Sequence, residues 1–318
     1  MAINRASIGK QLLPGLNAIF GLEYGSIDEE HRPLYEVENS DRAFEEEVLM
    51  TAFGEAPVKA EGSAVSYESA SESWAARYTH QTIALAFAVT EEAMEDNLYD
   101  TFAKIRAKSL ARSMASTKQS KAAAIFNNGF TAGLGGDGVV LFSAAHPVQA
   151  GVQSNLLTAA DLSEASLEAG VIQVQKAEDD RGILIGAMPV SLHIPPDLQF
   201  VAQKILKSTL STTTVVYGDN LAGVAGNVAG TTNTNDINAI RSMGVIPQGD
   251  FVNHRFTDLD AWFLKTDVPN GTKMFVRAPL GTKMEPDFDT GNLRFKARER
   301  YSFGWSDWRS FYGASGSS

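Results

Sequence analysis

The side chains able to do chemistry are few and scattered. The 318-residue chain has five histidines, His31, His80, His146, His193 and His254, and no two lie within ten residues. A local metal pair would need them at roughly three- to five-residue spacing. Cysteine is absent, which excludes disulfides, thiolate metal sites and cysteine nucleophiles. Ser143, His146 and Asp137 are the residue types of a hydrolytic triad. Nothing around Ser143 resembles the strained turn that presents a nucleophile, so Ser143-Ala-Ala-His146-Pro147 reads as a structural turn. Gly133-Leu-Gly135-Gly-Asp-Gly138 spells the glycine pattern of dinucleotide binding. Here it follows a helix and precedes a strand, the reverse of what phosphate capture requires, and it reads as a mobile loop. Glu178-Asp179-Asp180-Arg181-Gly182 would need further oxygen ligands to hold a divalent cation, and reads as a solvated helix end. Asn270-Gly271-Thr272 matches a glycosylation acceptor but is more simply a hairpin turn. Lys59 is the only lysine between Lys10 and Lys104. No catalytic residue, cofactor or metal site is predicted.

Composition narrows the class. The chain is 44% hydrophobic and 20% charged, which suits a folded protein but is long for a single core, so two packed units or an extended shape are expected. The longest apolar run, Ile83–Val89, is far short of the ~18 residues of a membrane span. Pro14 and Asn17 interrupt the N-terminal apolar stretch, and a soluble, unexported protein is expected. The net charge is −11, unlike a general nucleic-acid binder. Residues 1–100 carry 19 acids against 6 bases, whereas the remainder is nearly balanced. This asymmetry suits either a solvated surface or an acidic segment that docks on a basic one.

The positioning elements follow from periodicity. Residues 1–43 read as an arm, with a short helix over Ser7–Phe20 weakened by Pro14 and Gly15. Residues 44–90 read as a long hairpin, with strands at Phe44–Phe53 and Thr82–Val89 around a polar middle too long for a compact loop. Residues 91–128 predict a long helix capped by Thr90. Its apolar stripe would run through Met94, Leu98, Phe102, Ile105, Leu110, Met114, Ile125 and Phe126, with serines that can kink it. Helix is expected over Leu162–Glu178 and Pro196–Ser208, strand over Ile183–Ile194 and Val245–Phe256, and a loop over Gly218–Asn235. The last third is β. Ala261–Asp267 and Thr272–Arg277 flank the Asn-Gly turn. Further on, Leu293, Phe295, Ala297, Tyr301 and Phe303 alternate with Arg294, Lys296, Arg298 and Arg300. That cationic row must face solvent, acids or another chain.

In this order of elements, the chain resembles the major capsid proteins of tailed phages with the Hong Kong 97-type fold, and is closest to the Mu-like prophage major head subunit family. The residues that carry this are Val89-Thr-Glu-Glu-Ala-Met-Glu-Asp-Asn-Leu-Tyr99, Leu141-Phe-Ser-Ala-Ala-His-Pro147 with Ser154-Asn155, Asp179-Asp-Arg-Gly182, Ala261-Trp-Phe-Leu264, and above all Phe288–Arg309.

The resemblance implies an α+β fold in five parts. These are an N-terminal arm (1–43), an extended hairpin loop (44–80), a peripheral domain with a spine helix (81–140), an axial α+β domain (141–269) and returning peripheral strands (270–318). It implies a structural shell protein, not an enzyme. Hexamers and pentamers would tile an icosahedral head, assembled in the bacterial cytoplasm, around double-stranded DNA that is not bound sequence-specifically. Scaffolding, portal and decoration or cement proteins would be partners, and no membrane is involved. Candidate contacts between subunits are the acids Glu45, Glu46, Glu47 and Glu61 and the cations Arg294, Lys296, Arg298 and Arg300. Lys59 would stand where some relatives cross-link a lysine to a neighbour's asparagine. The alternatives are an encapsulin-like shell around a protein cargo, or a hydrolase using Ser143 and His146.

Overall fold

A computed structural model describes residues 5–69, 72–90, 92, 99–210, 237–287 and 290–316. The expected helix cap at Thr90–Leu98 and the loop at 218–235 fall largely outside these residues. The chain divides into two compact units: residues 1–47, 77–125 and 273–304 form one, and residues 48–76, 126–272 and 305–318 the other.

The first unit is two helices against a sheet. Helix α1, Arg5–Gly25, is longer than the sequence predicts and runs through Pro14 and Gly15. An interior proline costs about 3 kcal/mol, and tertiary burial of Leu16 and Phe20 offsets it. Their partners lie on α2, Tyr99–Asn127, which is continuous. Thr117 turns its hydroxyl back to the Ser113 carbonyl without breaking the helix. The buried stripe of α2 keeps the expected Leu110, Met114 and Phe126 but not Ile105. Ala103, Ala107, Leu110, Ala111 and Met114 are buried while Ile105 is exposed, because close approach of two helices favours small side chains over bulky ones. The sheet has the order β1 (Glu36–Asn39), β10 (Thr272–Pro286), β11 (Leu293–Trp305), β4 (Gln81–Val89). Strands β11 and β4 are antiparallel, with Phe295 opposite Phe87 and Ala297 opposite Leu85. Phe295 and Ala297 pack on α1 and α2.

This pairing corrects the expected hairpin. The partner of β2 (Phe44–Met50) is β3 (Glu72–Thr79), while Thr82–Val89 belongs to the four-stranded sheet. His80, between β3 and β4, is held by Ser40 and Ser302. One residue there ends one pairing and starts another.

The second unit has its own sheet, in the order β12 (Phe311–Ala314), β9 (Trp262–Thr266), β7 (Pro189–Ile194), β8 (Asp250–Val252), and a small ribbon of β5 (His146–Val148) with β6 (Gly151–Gln153). Helix α3, Glu164–Gln175, starts at a reciprocal cap between Ser163 and Ser166. Its residues Leu167, Val171 and Val174 pack with Leu192, Ile194, Trp262, Leu264 and Tyr312. Helices α4, Gln199–Lys207, and α5, Ala239–Met243, complete the unit. The expected strand at 183–188 is absent, apart from a bridge between Leu184 and Glu178. The Asn270-Gly271 turn does not make the expected hairpin: β9 and β10 lie in different sheets. Asn270 takes the left-handed conformation, φ 57°. A side chain on Gly271 would stand 2.1 Å from Ser310 Cβ, so the turn is fixed by packing and not by strand pairing. Residues 306–316 likewise leave the returning strands, because Phe311–Ala314 pairs with β9.

Candidate assembly surfaces

Among the described residues, two surfaces stand out as exposed and bear side chains suited to contact with another chain. One is the loop between β2 and β3. Its described residues, 51–69, form no strand, and Phe53, Val58, Val65 and Tyr67 are exposed. Lys59 and Glu61 lie on this loop, both exposed. The loop is anchored at its base, where Glu68 accepts from the Gly54 amide at 2.8 Å and from the Arg181 guanidinium at 2.6 Å.

The other surface is the outer face of β11. Arg294, Lys296 and Arg298 are exposed and Arg300 half-buried. Arg294 reaches Asp287. No ion pair involves Lys296, Arg298 or Arg300 among the described residues. Opposite them on β4 stand only Ala88, Ala86, Ala84 and Thr82, so the cations flank a flat strip of small side chains.

The predicted acids are distributed differently. Glu45 accepts from Ser40 at 2.7 Å, Glu46 lies 3.6 Å from Arg77, and Glu47 meets Lys273. Lys273 is buried and also pairs with Glu38 at 2.9 Å. Burial works against its charge, but bonds to Glu47 and then Glu38 raise its pKa above the ordinary lysine value. Glu45–Glu47 thus serve the β2–β3 ribbon, and the loop that joins its strands holds Glu55 and Glu61.

Two buried ionic sites were not expected. Glu299 lies on the inner face of β11, where Lys118 of α2 pairs with it at 2.8 Å and also donates to the Tyr24 hydroxyl. Burial raises the pKa of Glu299, whereas the Glu299 and Tyr24 bonds outweigh burial and raise that of Lys118. The signal was legible, since Glu299 falls at an apolar position of the alternation. The second site centres on Arg309, which reaches Asp180 at 2.7 Å, the Glu178 carbonyl and Gln153, and lies beside Asp307. Burial raises the pKa of Asp307 despite that arginine. The acidic run at 178–182 is therefore a packed turn and not a solvated helix end. Asp180 points inward, while Asp179 accepts from the Arg181 and Ile183 amides.

His146 extends this network. Its ring stacks on Trp308 at 4.4 Å, Nδ1 meets Asp137 at 2.6 Å and Nε2 meets Asn155 Oδ1 at 3.0 Å. Asn155 is oriented by donation to the Leu141, Trp308 and Phe311 carbonyls. Ser143 is not on the imidazole; its oxygen accepts from the Ala145 amide. Of the three triad types, His146 and Asp137 meet in a packed cluster and Ser143 stands apart from the imidazole. Two glycines of the loop that holds Asp137 are closely packed: a Cβ on Gly135 would lie 2.0 Å from the Trp305 ring, and one on Gly136 2.7 Å from the Ala75 backbone. Among the described residues no group of His, Asp or Glu could hold a metal ion.

Set against known proteins, residues 74–314 match the model of the phage capsid protein family. The chain belongs to that family: it is a capsid shell protein with the α+β Hong Kong 97-type fold. Solved structures of the same fold include a virus-like particle from Pyrococcus furiosus (9% identity, TM-score 0.54, covering 95% of this chain and 98% of that one). The capsid of the native GTA particle is also similar (14% identity, TM-score 0.53, 92% of each chain). So is the procapsid of bacteriophage JBD30 (12% identity, TM-score 0.50, 98% of this chain and 76% of that one). No curated protein sequence matches the chain significantly.

Proposed function

We propose that this chain is the major head protein of a tailed, Mu-like phage or prophage, assembled from hexamers and pentamers into an icosahedral shell around double-stranded DNA. Its role is structural, without catalysis. The head would assemble in the bacterial cytoplasm with scaffolding, portal and decoration proteins. The observation that carries the reading is the pairing in kind of two exposed surfaces: a loop bearing Glu55, Glu61 and exposed apolar side chains, and a cationic sheet face on which Lys296, Arg298 and Arg300 have no ion pair among the described residues. A monomer gains nothing from either, whereas contact between copies satisfies both. Net negative charge suits a container that must not grip its packaged polyanion.

Reversing one charge tests this. Arg298→Glu is expected to block assembly while the chain stays folded, read by size-exclusion chromatography, negative-stain microscopy and circular dichroism. Normal shells from the variant would refute the charge pairing. A compartment around a protein cargo is the second reading, and the family match favours the phage head over it. The material that co-purifies with wild-type particles, DNA or an enzyme, separates the two.

A further inference from the structure

We propose that the solvent face of helix α2 is a nucleic-acid contact surface, where double-stranded DNA is held by its phosphates. This rests on the shell reading above and deepens it, by naming the face that meets the contents.

Charge is the first argument. Residues 99–127 hold six cations, Lys104, Arg106, Lys108, Arg112, Lys118 and Lys121, against one acid, Asp100, in a chain whose net charge is −11. From Thr101 to Asn127 there is no acid at all. The helix sorts its cations by face. Lys118 turns inward to Glu299, whereas Lys104, Arg106, Lys108 and Arg112 are exposed. Lys104, Lys108 and Arg112 follow at four-residue spacing and form one row. Like charges at that spacing repel, and helix surfaces commonly relieve them with acids. Arg112 reaches Glu23 at 2.6 Å, but Arg106 and Lys108 have no ion pair among the described residues. A row of repelling cations is stabilised by a polyanion laid along it.

The neighbours of the row identify the polyanion. At ~100° per residue, Ser109, Ser113, Ser116 and Ser120 lie between the row and Arg106, which flanks the far side of the face. Ser109, Ser113 and Ser120 are exposed and Ser116 is half-buried. Among the described residues of 103–120, Ile105 is the only exposed large apolar side chain. A protein helix docks through an apolar stripe of several residues, and one isoleucine does not make a stripe. Guanidinium, ammonium and hydroxyl donors side by side are instead the groups that hold phosphate oxygens. The spacing agrees. Successive cations of the row stand ~6 Å apart along the helix axis, and the phosphates of one strand follow every ~3.4 Å along a duplex, so each cation meets a phosphate of its own. Four exposed cations on a chain of net −11 give a weak, salt-sensitive contact. That agrees with a container that must not grip its contents.

Fluorescence anisotropy of a labelled DNA duplex of arbitrary sequence, titrated with the full unassembled chain, tests the face without requiring shells. Binding is expected at low salt, with log K falling against log [salt] at a slope of about −3 to −4, as four phosphate contacts require. Arg106→Gln/Lys108→Gln should leave the circular dichroism spectrum unchanged, weaken binding at least about tenfold and flatten the slope by about 2. Arg298→Gln on β11 should change neither affinity nor slope. In purified particles, formaldehyde cross-links to DNA, mapped by mass spectrometry, should fall on Lys104 and Lys108. A duplex that the wild-type chain ignores, or binds equally after the α2 substitutions, would overturn the proposal. Loss on Arg298→Gln alone would move the DNA to β11 and overturn it too. DNA-filled particles without cross-links at α2, or with α2 cross-linked to a protein instead, would overturn it and leave the shell reading intact. Particles that never form would remove the shell reading, while the titration still decides the face.

Discussion

The two faces of strand β11 carry the same kinds of atoms in opposite circumstances. Inward, Glu299 is buried among Lys118 and Tyr24, and its charge is settled within the chain. Outward, Lys296 and Arg298 stand in solvent with no ion pair among the described residues, one residue away on either side of an inward neighbour. The pleat makes this possible, since successive side chains point to opposite faces. The inner charge contributes to the fold, and the outer charges cost nothing in water but become expensive if buried unpaired. A strand with one face settled and the other open is stable alone and still selective for a partner.

Mutation should separate the faces sharply. The largest effect is expected from Lys118→Met, which strands Glu299 in the interior and should cost about 3–5 kcal/mol of unfolding free energy. The double variant Lys118→Met/Glu299→Leu should recover most of it, as read by urea denaturation. A double variant as unstable as the single one would mean that Lys118 acts through packing alone. Next is Gly136→Ala in the second unit, where the new carbon would meet the Ala75 backbone. The cost expected from overpacking is ~1–3 kcal/mol. Full stability there would show that the Ala75 backbone yields to the added carbon.

A smaller effect, dependent on pH, comes from His193. It is buried beside Ser191 and Phe251, and burial followed by the nearby Lys265 lowers its pKa to about 3. The unfolded chain takes up this proton below about pH 6.5, whereas the folded chain resists until about 3. The contribution is therefore present above pH 6.5 and lost as pH falls toward 3. His193→Gln should flatten the acid limb of stability against pH, and an unchanged limb would assign it to other groups. The smallest effect on the isolated chain is expected from Arg298→Ala, within about 0.5 kcal/mol. Its consequence should appear in assembly. A large loss of monomer stability would show that the outer face already has a partner within the chain.

The same contrast separates what could be read in advance from what could not. The alternation of Leu293–Phe303 with four cations placed both faces of β11 correctly, because a period of two follows from the backbone alone. Lys118 could not be read as the partner of Glu299, since the pair joins a helix and a strand 181 positions apart. Arg309 and Asp180 escaped notice for the same reason: a buried ion pair has no local pattern. Helix α1 was underestimated because Pro14 argues locally against it, while the alanines of α2 that stabilise it lie some ninety residues away. The Asn-Gly signal was present and correctly marked a turn, but turn chemistry does not say which strands will pair. The acids Glu45–Glu47 looked available for a neighbour until Ser40, Arg77 and Lys273 were found beside them.

By itself, then, the sequence determined the periodic features: the two faces of β11, the long helix, the charge of the long loop, and through residues such as 288–309 the family. These follow from interactions among near neighbours along the chain. The tertiary structure alone decided which strand pairs with which, which charges are neutralised inside, and that β4 stands at the end of its sheet among the described residues. Those outcomes depend on contacts between distant segments, where close packing and desolvation, and not local propensity, set the free energy.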